Sequence, residues 1–397
     1  MEPSGVDLPS FPAPRTDPLG VADELLRLRE REPVARVRLP DGSEAWLVTS
    51  PGVGRQVLGN RRFSSDATRP GFPQTSTLRR DAPLGRTLIR IDPPEHTRLR
   101  RLLNPDFVVS RVEALRPGVA RIAGALLDEV VSEGPPADLV EAFARPLPAL
   151  VIAEVLGVPD AERRHFEDLS RRLVTSADGP DRAIQAMEGL RDYMERLVTA
   201  RRATPGEDVL SRLVELEEAG ELDHDQAVDT GRLLLLAGHV TTANMIALGV
   251  LMLLRHPAQL AAVRGDPTLM RAGVEELLRH QTLIQGGLRR VATEDVELGG
   301  RRIRAGDGVV VAIAAANRDP ALGGDCFDVH RGTRNHLAFG YGFHQCLGQH
   351  LARVELDVAL TAVSTRLPTL AVAVPEADIS FREDGFLHGL RALPVTW

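Results

Sequence analysis

The chain has 397 residues, 43% of them hydrophobic, so it is long enough to bury a large core. A formal net charge of -7 argues against a nucleic-acid partner. The two cysteines, Cys326 and Cys346, make no disulfide framework, and the first residues lack the basic and apolar pattern of a secretory leader. These properties predict a globular, cytoplasmic protein of enzyme size.

The predicted elements begin with an N-terminal arm over about residues 1–20, which is proline-rich and polar and is expected to run along the surface. Two alternating segments flank Asp41-Gly42 and predict a β-hairpin, followed by a short helix over 51–59. Helical periodicity then predicts helices near 93–103, 111–132, 139–156, 160–175, 181–202, 207–218 and 224–255. Strand patterns return over 295–314, and a last helix is expected over about 348–366.

The segment 233–254 carries no formal charge and is long enough to cross a bilayer. However, polar residues cluster at its midpoint, where they are most costly in lipid, and no aromatic belt flanks it. A helix that is apolar all round is also typical of the buried axis of a large helical domain. We therefore expect a buried axis and no membrane contact.

One cysteine lies among glycines in the segment "FGYGFHQCLG", residues 339–348. Glycine is needed where the backbone turns with positive φ or closely approaches another group, so this loop is expected to be shaped against a bound object. Taken alone, Cys346 could be a buried structural thiol or a nucleophile with His344 as its base. A zinc site would need about four ligands, and the sequence has no C-x-x-C or paired-histidine motif. The remaining interpretation is a thiolate ligand of heme iron.

The same segment matches every fixed position of the F-G-x-G-x-H-x-C-x-G signature, and the chain resembles the cytochrome P450 superfamily. The resemblance implies the cytochrome P450 fold, mainly α with small β-sheets, in a single heme domain over residues 1–397. It also implies heme b as the cofactor, with Cys346 as the iron ligand and Phe339, Gly340 and Gly348 in the heme-binding loop. A thiolate ligand donates electrons strongly to iron and favours O–O cleavage.

Two further segments resemble the family. Glu276 and Arg279 lie one turn apart on a helix, and in the family such a pair is joined by a third arginine, for which Arg331 is the candidate. The usual stretch before that arginine is shortened in this chain.

The segment "DPPEHTRLRRLLNP" resembles the family's propionate-binding helix, because His96 and Arg100 at i and i+4 share one face. The resemblance adds Arg290 and His344 as the other two groups that bind the heme propionates.

The uncharged helix carries "AGHVTT", residues 237–242, where the family places its oxygen-binding side. Small residues at Ala237 and Gly238 are expected to make room there, and the Thr241 hydroxyl one turn later is expected to hold a water and aid proton delivery. The alternative for Thr241 is a hydroxyl bonded back to the carbonyl of residue 237. The family usually has an acid where this chain has Val240, so protons would arrive through water, a substrate group or His239, whose side chain is expected to point away from the iron.

By position in the family, a further set of residues is expected to line the substrate pocket. These are Val240, Asn244, Gln285, Gly286, Gly287, Leu288, Phe386, Leu387 and the loop 68–91. Because two of them are glycines and only 4% of the chain is aromatic, the pocket is expected to be wide and aliphatic, and to suit a macrolide, polyketide or peptide-derived molecule.

The resemblance implies a monooxygenase that hydroxylates or epoxidises its substrate with O2. Electrons are expected from a separate ferredoxin and ferredoxin reductase, or a similar redox partner, which docks near Arg100, Arg101 and Arg353. The alternatives are a non-hydroxylating or peroxide-driven oxidation, a heme-binding protein without turnover, and a hydrolase that uses Cys346 and His344.

Overall fold

The computed structural model describes residues 8–75, 87–162, 166, 169, 180–382 and 387–397. Within these residues, helices form most of the molecule. The α-helices are α1 (Asp23–Arg31), α2 (Pro51–Gly59), α3 (Glu95–Leu103), α4 (Val109–Glu133), α5 (Pro146–Leu156), α6 (Pro180–Ala203), α7 (Val209–Glu218), α8 (His224–Arg255), α9 (Pro257–Gly265), α10 (Met270–His280), α11 (Ile313–Asn317) and α12 (Gln349–Arg366).

The strands are short and form small sheets, as predicted. They are β1 (Val34–Arg38), β2 (Glu44–Val48), β3 (Phe63–Ser64), β4 (Ala137–Asp138), β5 (Leu288–Ala292), β6 (Val296–Leu298), β7 (Arg301–Ile303), β8 (Gly308–Val311), β9 (Ala371–Val372) and β10 (Pro394–Thr396). The largest sheet has the order β1-β2-β8-β5-β3, in which β1 and β2 form the predicted antiparallel hairpin and β8 lies parallel to β2. β5 pairs with β8 and thereby fixes the position of Arg290 opposite Val309.

Helix α8 is the buried axis of the fold, and its predicted limits are confirmed. It begins with a capping box in which Asp223 accepts from the Gln226 amide at 2.7 Å and the Gln226 side chain accepts from the Asp223 amide at 3.2 Å. It is the one helix of the described chain long and apolar enough to cross a membrane, and 72% of its most apolar window is buried inside the protein. This burial is what the core-helix prediction requires.

Two regions differ from the predicted elements. The helix expected over 139–156 is divided into a π-helical turn, Val140–Ala144, and α5, because Pro146 has no amide hydrogen to continue the first segment. The N-terminal arm is extended over its described part, but Phe11 and Leu19 are buried and anchor it to the body. Most of the helix predicted over 160–175 lies outside the described residues.

A buried ion-pair cluster joins α10 to the segment before the cysteine loop. Arg279 donates to both Glu276 oxygens, at 2.8 and 2.7 Å, and to the carbonyls of Asn317 and Cys326, at 2.9 and 2.8 Å. Arg331 donates to the same Glu276 carboxylate, as expected for the third arginine. Removal of one partner from such a buried pair typically costs about 3–5 kcal/mol, since it leaves a buried charge unpaired.

Candidate functional site

The cysteine loop turns where its glycines allow positive φ. Gly340 and Gly342 have φ of 69° and 73°. A Cβ at Gly342 would lie 2.7 Å from the Leu58 carbonyl oxygen, so only glycine fits this approach to α2. The Cys346 amide donates to the Phe339 carbonyl at 2.9 Å and closes the loop. Gly348 differs from this pattern, because its φ is -82° and a Cβ there would meet open space.

The Cys346 thiol is surrounded by protein and yet keeps accessible surface. Burial raises the pKa of the thiol, against the lowering effects of the Gly348 amide, Arg100 and Arg353, and yet its side chain has accessible surface. The raised pKa and the accessible surface are compatible if the thiol is enclosed by protein but borders an internal space. Helix α8 also has accessible surface at its midpoint, where Ala237 is exposed although the helix is otherwise buried. Leu347, which follows Cys346, packs on the apolar cluster that contains Leu233–Leu235, the turn of α8 before Ala237. We therefore infer that the accessible surfaces of Cys346 and Ala237 border one cavity.

Four donors lie together beside this cavity, as the sequence predicts. The rings of His96 and His344 are 4.0 Å apart, and His96 and Arg290 are almost fully buried. Burial, with a contribution from Arg100, lowers the pKa of His96 to about 4. Burial also lowers the pKa of His344 to about 2, and the nearby Arg290, His96 and Arg100 add to this effect.

Four nitrogen atoms of three of these residues have no partner among the described residues, although Nη1 of Arg290 donates to the Arg289 carbonyl. Both ring nitrogens of His96, Nε2 of His344 and Nε of Arg290 are buried without a hydrogen-bond partner among the described residues. Buried polar groups and charges without partners are costly, so the cluster calls for an anion.

On α8, the Thr241 hydroxyl donates to the Ala237 carbonyl at 2.6 Å, which is the alternative arrangement considered for this residue. The hydroxyl oxygen can still accept, and the side chain remains half-buried. Gly238 differs from its prediction: a Cβ there would lie 3.1 Å from Ile152 of α5, so its missing side chain allows helix packing and does not open the oxygen side.

His239 lies against the segment before α5, away from the face that carries Ala237 and Thr241. Its Nε2 is 3.2 Å from the Arg145 carbonyl oxygen. Burial lowers the pKa of His239 to about 4, so the ring is neutral at neutral pH.

The C-terminal turn brings the predicted pocket residues of two segments together. Asn244 donates to the Val240 carbonyl at 2.9 Å, and a Cβ at Gly389 would overlap the Asn244 amide. Gln285 Nε2 lies 3.3 Å from a ring nitrogen of His388, and Leu387 forms an isolated antiparallel bridge with Ile284, outside the strands. His388 was not predicted, because its adjacency to Gln285 depends on a contact across 103 residues.

The remaining pocket predictions differ in their outcomes. Gly287 has φ of 65°, and a Cβ there would lie 2.6 Å from Val310, so this glycine allows packing on β8 and does not widen the pocket. Gly286 is buried. Leu288 reaches the cysteine loop, with its Cδ1 3.4 Å from the position of a Cβ on Gly340. Phe386 and residues 76–86 of the 68–91 loop lie outside the described residues.

Comparisons with known proteins identify the family. The cytochrome P450 family model matches residues 180–368. "Cytochrome P450-SU2" of Streptomyces griseolus is 47% identical, with 100% of this chain and 98% of the relative covered. "Vitamin D3 dihydroxylase" of the same organism is 44% identical over 100% of this chain and 98% of that protein. The chain belongs to the cytochrome P450 family. The solved structure of the mycinamicin VIII C21 methyl hydroxylase MycCI from Micromonospora griseorubida superposes with a TM-score of 0.91 at 38% identity, covering 98% of this chain and 100% of that one.

As a cytochrome P450, the chain is a heme-thiolate monooxygenase with the P450 fold and heme b as its cofactor. The residues of the cavity fit this group. A thiol borders the cavity at one point, and a cluster of unpartnered donors lies where two propionate carboxylates would satisfy them.

Of the arginines expected at the partner surface, Arg353 is engaged inside the protein and Arg100 is half-buried. Arg353 binds Glu275 at 2.6 and 3.1 Å, and its guanidinium lies 4.6 Å from the Phe339 ring centroid. Burial lowers the pKa of Arg100, and the Cys346 side chain opposes that effect. Arg101 alone of the three is exposed. Glu275 was not predicted as a site residue, since nothing in the sequence links it to an arginine 78 residues later.

Replacing Arg290 with leucine or His96 with alanine is expected to weaken heme retention. Each change removes a charge-assisted hydrogen bond, worth about 1.5–3 kcal/mol, so heme should transfer to an acceptor protein about 10- to 100-fold faster. The measurement is the rate of that transfer and the heme content after purification. Arg289→Leu is the matched control, because Arg289 precedes Arg290 on β5 and points to the opposite face. Unchanged retention in both variants would refute the assignment of these donors.

Proposed function

We propose that this P450 inserts one oxygen atom from O2 into a C–H or C=C bond of a medium-to-large natural product, with Cys346 as the iron ligand. The observation that carries the proposal is the cluster of buried, unpartnered nitrogen atoms of His96, His344 and Arg290 near the accessible Cys346 side chain. When bound, the heme supplies oxygen activation. His96, Arg100, Arg290 and His344 hold its propionates in place.

Thr241 is proposed to hold a water at the oxygen side of the cavity. Its hydroxyl keeps acceptor capacity while it donates to the Ala237 carbonyl. Val240 can neither accept nor donate a proton, and His239 is neutral and bound to the Arg145 carbonyl. A water held by Thr241, or a hydroxyl of the substrate, is therefore the best supported route for protons.

The substrate class follows from the pocket residues and from the relatives. Val240, Leu288 and Leu387 are aliphatic, while Asn244 and Gln285 supply a small number of polar groups. Such a surface suits a large apolar molecule with few oxygen functions. The relatives include a vitamin D3 dihydroxylase and a mycinamicin VIII hydroxylase, which supports a substrate of this size and polarity.

We further propose that electrons come from a ferredoxin and its reductase in the cytoplasm, without a membrane. Among the described residues the one helix of membrane length is mostly buried, and relatives that match almost this whole chain are of similar length. Arg101 is an exposed cation on α3, the helix that also carries Arg100, and it can meet an acidic partner.

The test is an absorption spectrum followed by turnover. The reduced protein with carbon monoxide is expected to show a red-shifted Soret band, and natural products of the proposed class should shift the spin state of the iron on titration. With ferredoxin, reductase and NADPH, a substrate selected in this way should gain one oxygen atom. A colourless protein that hydrolyses esters or amides would instead support Cys346 and His344 as a nucleophile and base.

A further inference from the structure

A second buried charge cluster contacts the cysteine loop through Arg353. Its centre is the Glu275 carboxylate of α10, which is 3% exposed. Arg353 of α12 donates to it through Nε at 2.6 Å and Nη2 at 3.1 Å, and His336 Nε2 lies 3.1 Å from it. The Ala338 amide donates to the other His336 nitrogen at 3.2 Å, so this ring is a neutral donor to Glu275.

This cluster is connected to the cysteine by short contacts. The Arg353 guanidinium lies over the Phe339 ring, 4.6 Å from its centroid. The Phe339 carbonyl accepts from the Cys346 amide at 2.9 Å. Arg353 also donates to the carbonyl and side chain of Gln349, at 3.2 and 3.1 Å. The arginine is thus held by Glu275, by the Phe339 ring and by Gln349, and the last two lie at the two ends of the loop that carries the thiol.

The two charges of this pair are not equivalent toward Cys346. Arg353 contacts the Phe339 ring of the loop, whereas Glu275 contacts Arg353 and His336. A cation close to a thiolate stabilises its negative charge and favours the more negative, reduced state of a bound iron. A carboxylate bound to the cation partly cancels the electrostatic field that the cation exerts on the thiolate, and it also fixes the direction of the guanidinium.

We propose that Glu275 and Arg353 are positioning residues that together set the reduction potential of the iron bound by Cys346. Arg353 raises the potential through its contact with the Phe339 segment, and Glu275 limits that increase while holding the guanidinium in place. The inference rests on the proposed role of Cys346 as the iron ligand. It assigns this ion pair a function beyond joining α10 to α12.

The test measures the reduction potential of the purified, heme-loaded enzyme. In Glu275→Gln, the amide can still accept from Arg353, whose charge is no longer balanced, so the potential is expected to rise. In Arg353→Gln the cation is lost and the carboxylate remains, so the potential is expected to fall. The double variant should return toward the wild-type value, and Arg353→Lys, which keeps the charge, should lie close to it.

Arg334→Gln is the matched control. The Arg334 Nε lies 3.6 Å from Glu275, but its side chain is 76% exposed, and solvent should screen its charge so that the potential does not move. If the pair were purely structural, the potentials of Glu275→Gln and Arg353→Gln would move in the same direction or stay unchanged. Either result would overturn the proposal. If Glu275→Gln loses its heme, the proposal is tested by the difference in reduction potential between Arg353→Gln and Arg353→Lys, since only the second keeps the charge. Failure of the Cys346 assignment is distinguishable, because the wild type itself would then lack the red-shifted band with carbon monoxide.

Discussion

Replacing Cys346 with alanine is expected to abolish the red-shifted Soret band that the reduced protein gives with carbon monoxide, and with it all monooxygenase turnover. The band requires a thiolate on the iron, and alanine has no donor atom to replace the sulfur. The fold should survive, because the hydrogen bond from residue 346 to the Phe339 carbonyl uses the backbone amide. The measurement is the spectrum of the reduced, carbon monoxide-bound variant together with its circular dichroism.

The chain contains its own matched control for this experiment. Cys326 is the second cysteine, and it is also free and exposed. Arg279 and Arg331 bind its backbone carbonyl, which an alanine would keep. Cys326→Ala should therefore retain the band at full intensity. A Cys346→Ala protein that keeps the band, or a Cys326→Ala protein that loses it, would refute the assignment of the iron ligand.

The helices were predictable where a strong periodic pattern met a clear end signal. The limits of α8 follow from Asp223 and Gln226 at its start and from Pro257 after its end. The positive φ at Gly340 and Gly342 was likewise expected from the density of glycines in one motif.

Other features depend on contacts that no local pattern encodes. Gly238 and Gly287 were interpreted as space on the cavity side, but their missing side chains allow Ile152 and Val310 to approach. Both interpretations were reasonable locally, since sequence shows that a side chain is absent and does not show which neighbour uses the space. The pairing of Glu275 with Arg353 is hidden for the same reason, because it joins two helices 78 residues apart.

The replacement of the usual acid by Val240 makes the proton route the least conventional part of this site. The valine is flanked by the His239 imidazole and the Thr241 hydroxyl, and these two side chains point in different directions. Thr241 binds the Ala237 carbonyl and stays half-buried, while His239 lies against the Arg145 carbonyl. Burial lowers the pKa of His239 to about 4, so at neutral pH it carries no proton to donate beyond the one bound to that carbonyl.

Thr241→Ala is therefore expected to uncouple the enzyme, with electrons diverted from product to hydrogen peroxide. Positioned proton transfer is typically worth roughly 100- to 10,000-fold, so coupled product formation should fall by a factor in that range. The measurement is the ratio of product to NADPH consumed, with hydrogen peroxide quantified in parallel. Thr241→Ser is the matched control, because it keeps the hydroxyl and should keep most of the coupling.

The competing route is tested by His239→Gln, whose amide can still donate to the Arg145 carbonyl and so preserve the packing of α8 on the segment before α5. This variant should remain coupled, because the side chain at position 239 lies away from the cavity. Val240→Glu should raise coupling if a carboxylate can join the water held by Thr241, or weaken substrate binding if the valine packs against substrate. A coupled Thr241→Ala enzyme beside an uncoupled His239→Gln enzyme would contradict the proposed route and assign proton delivery to the histidine.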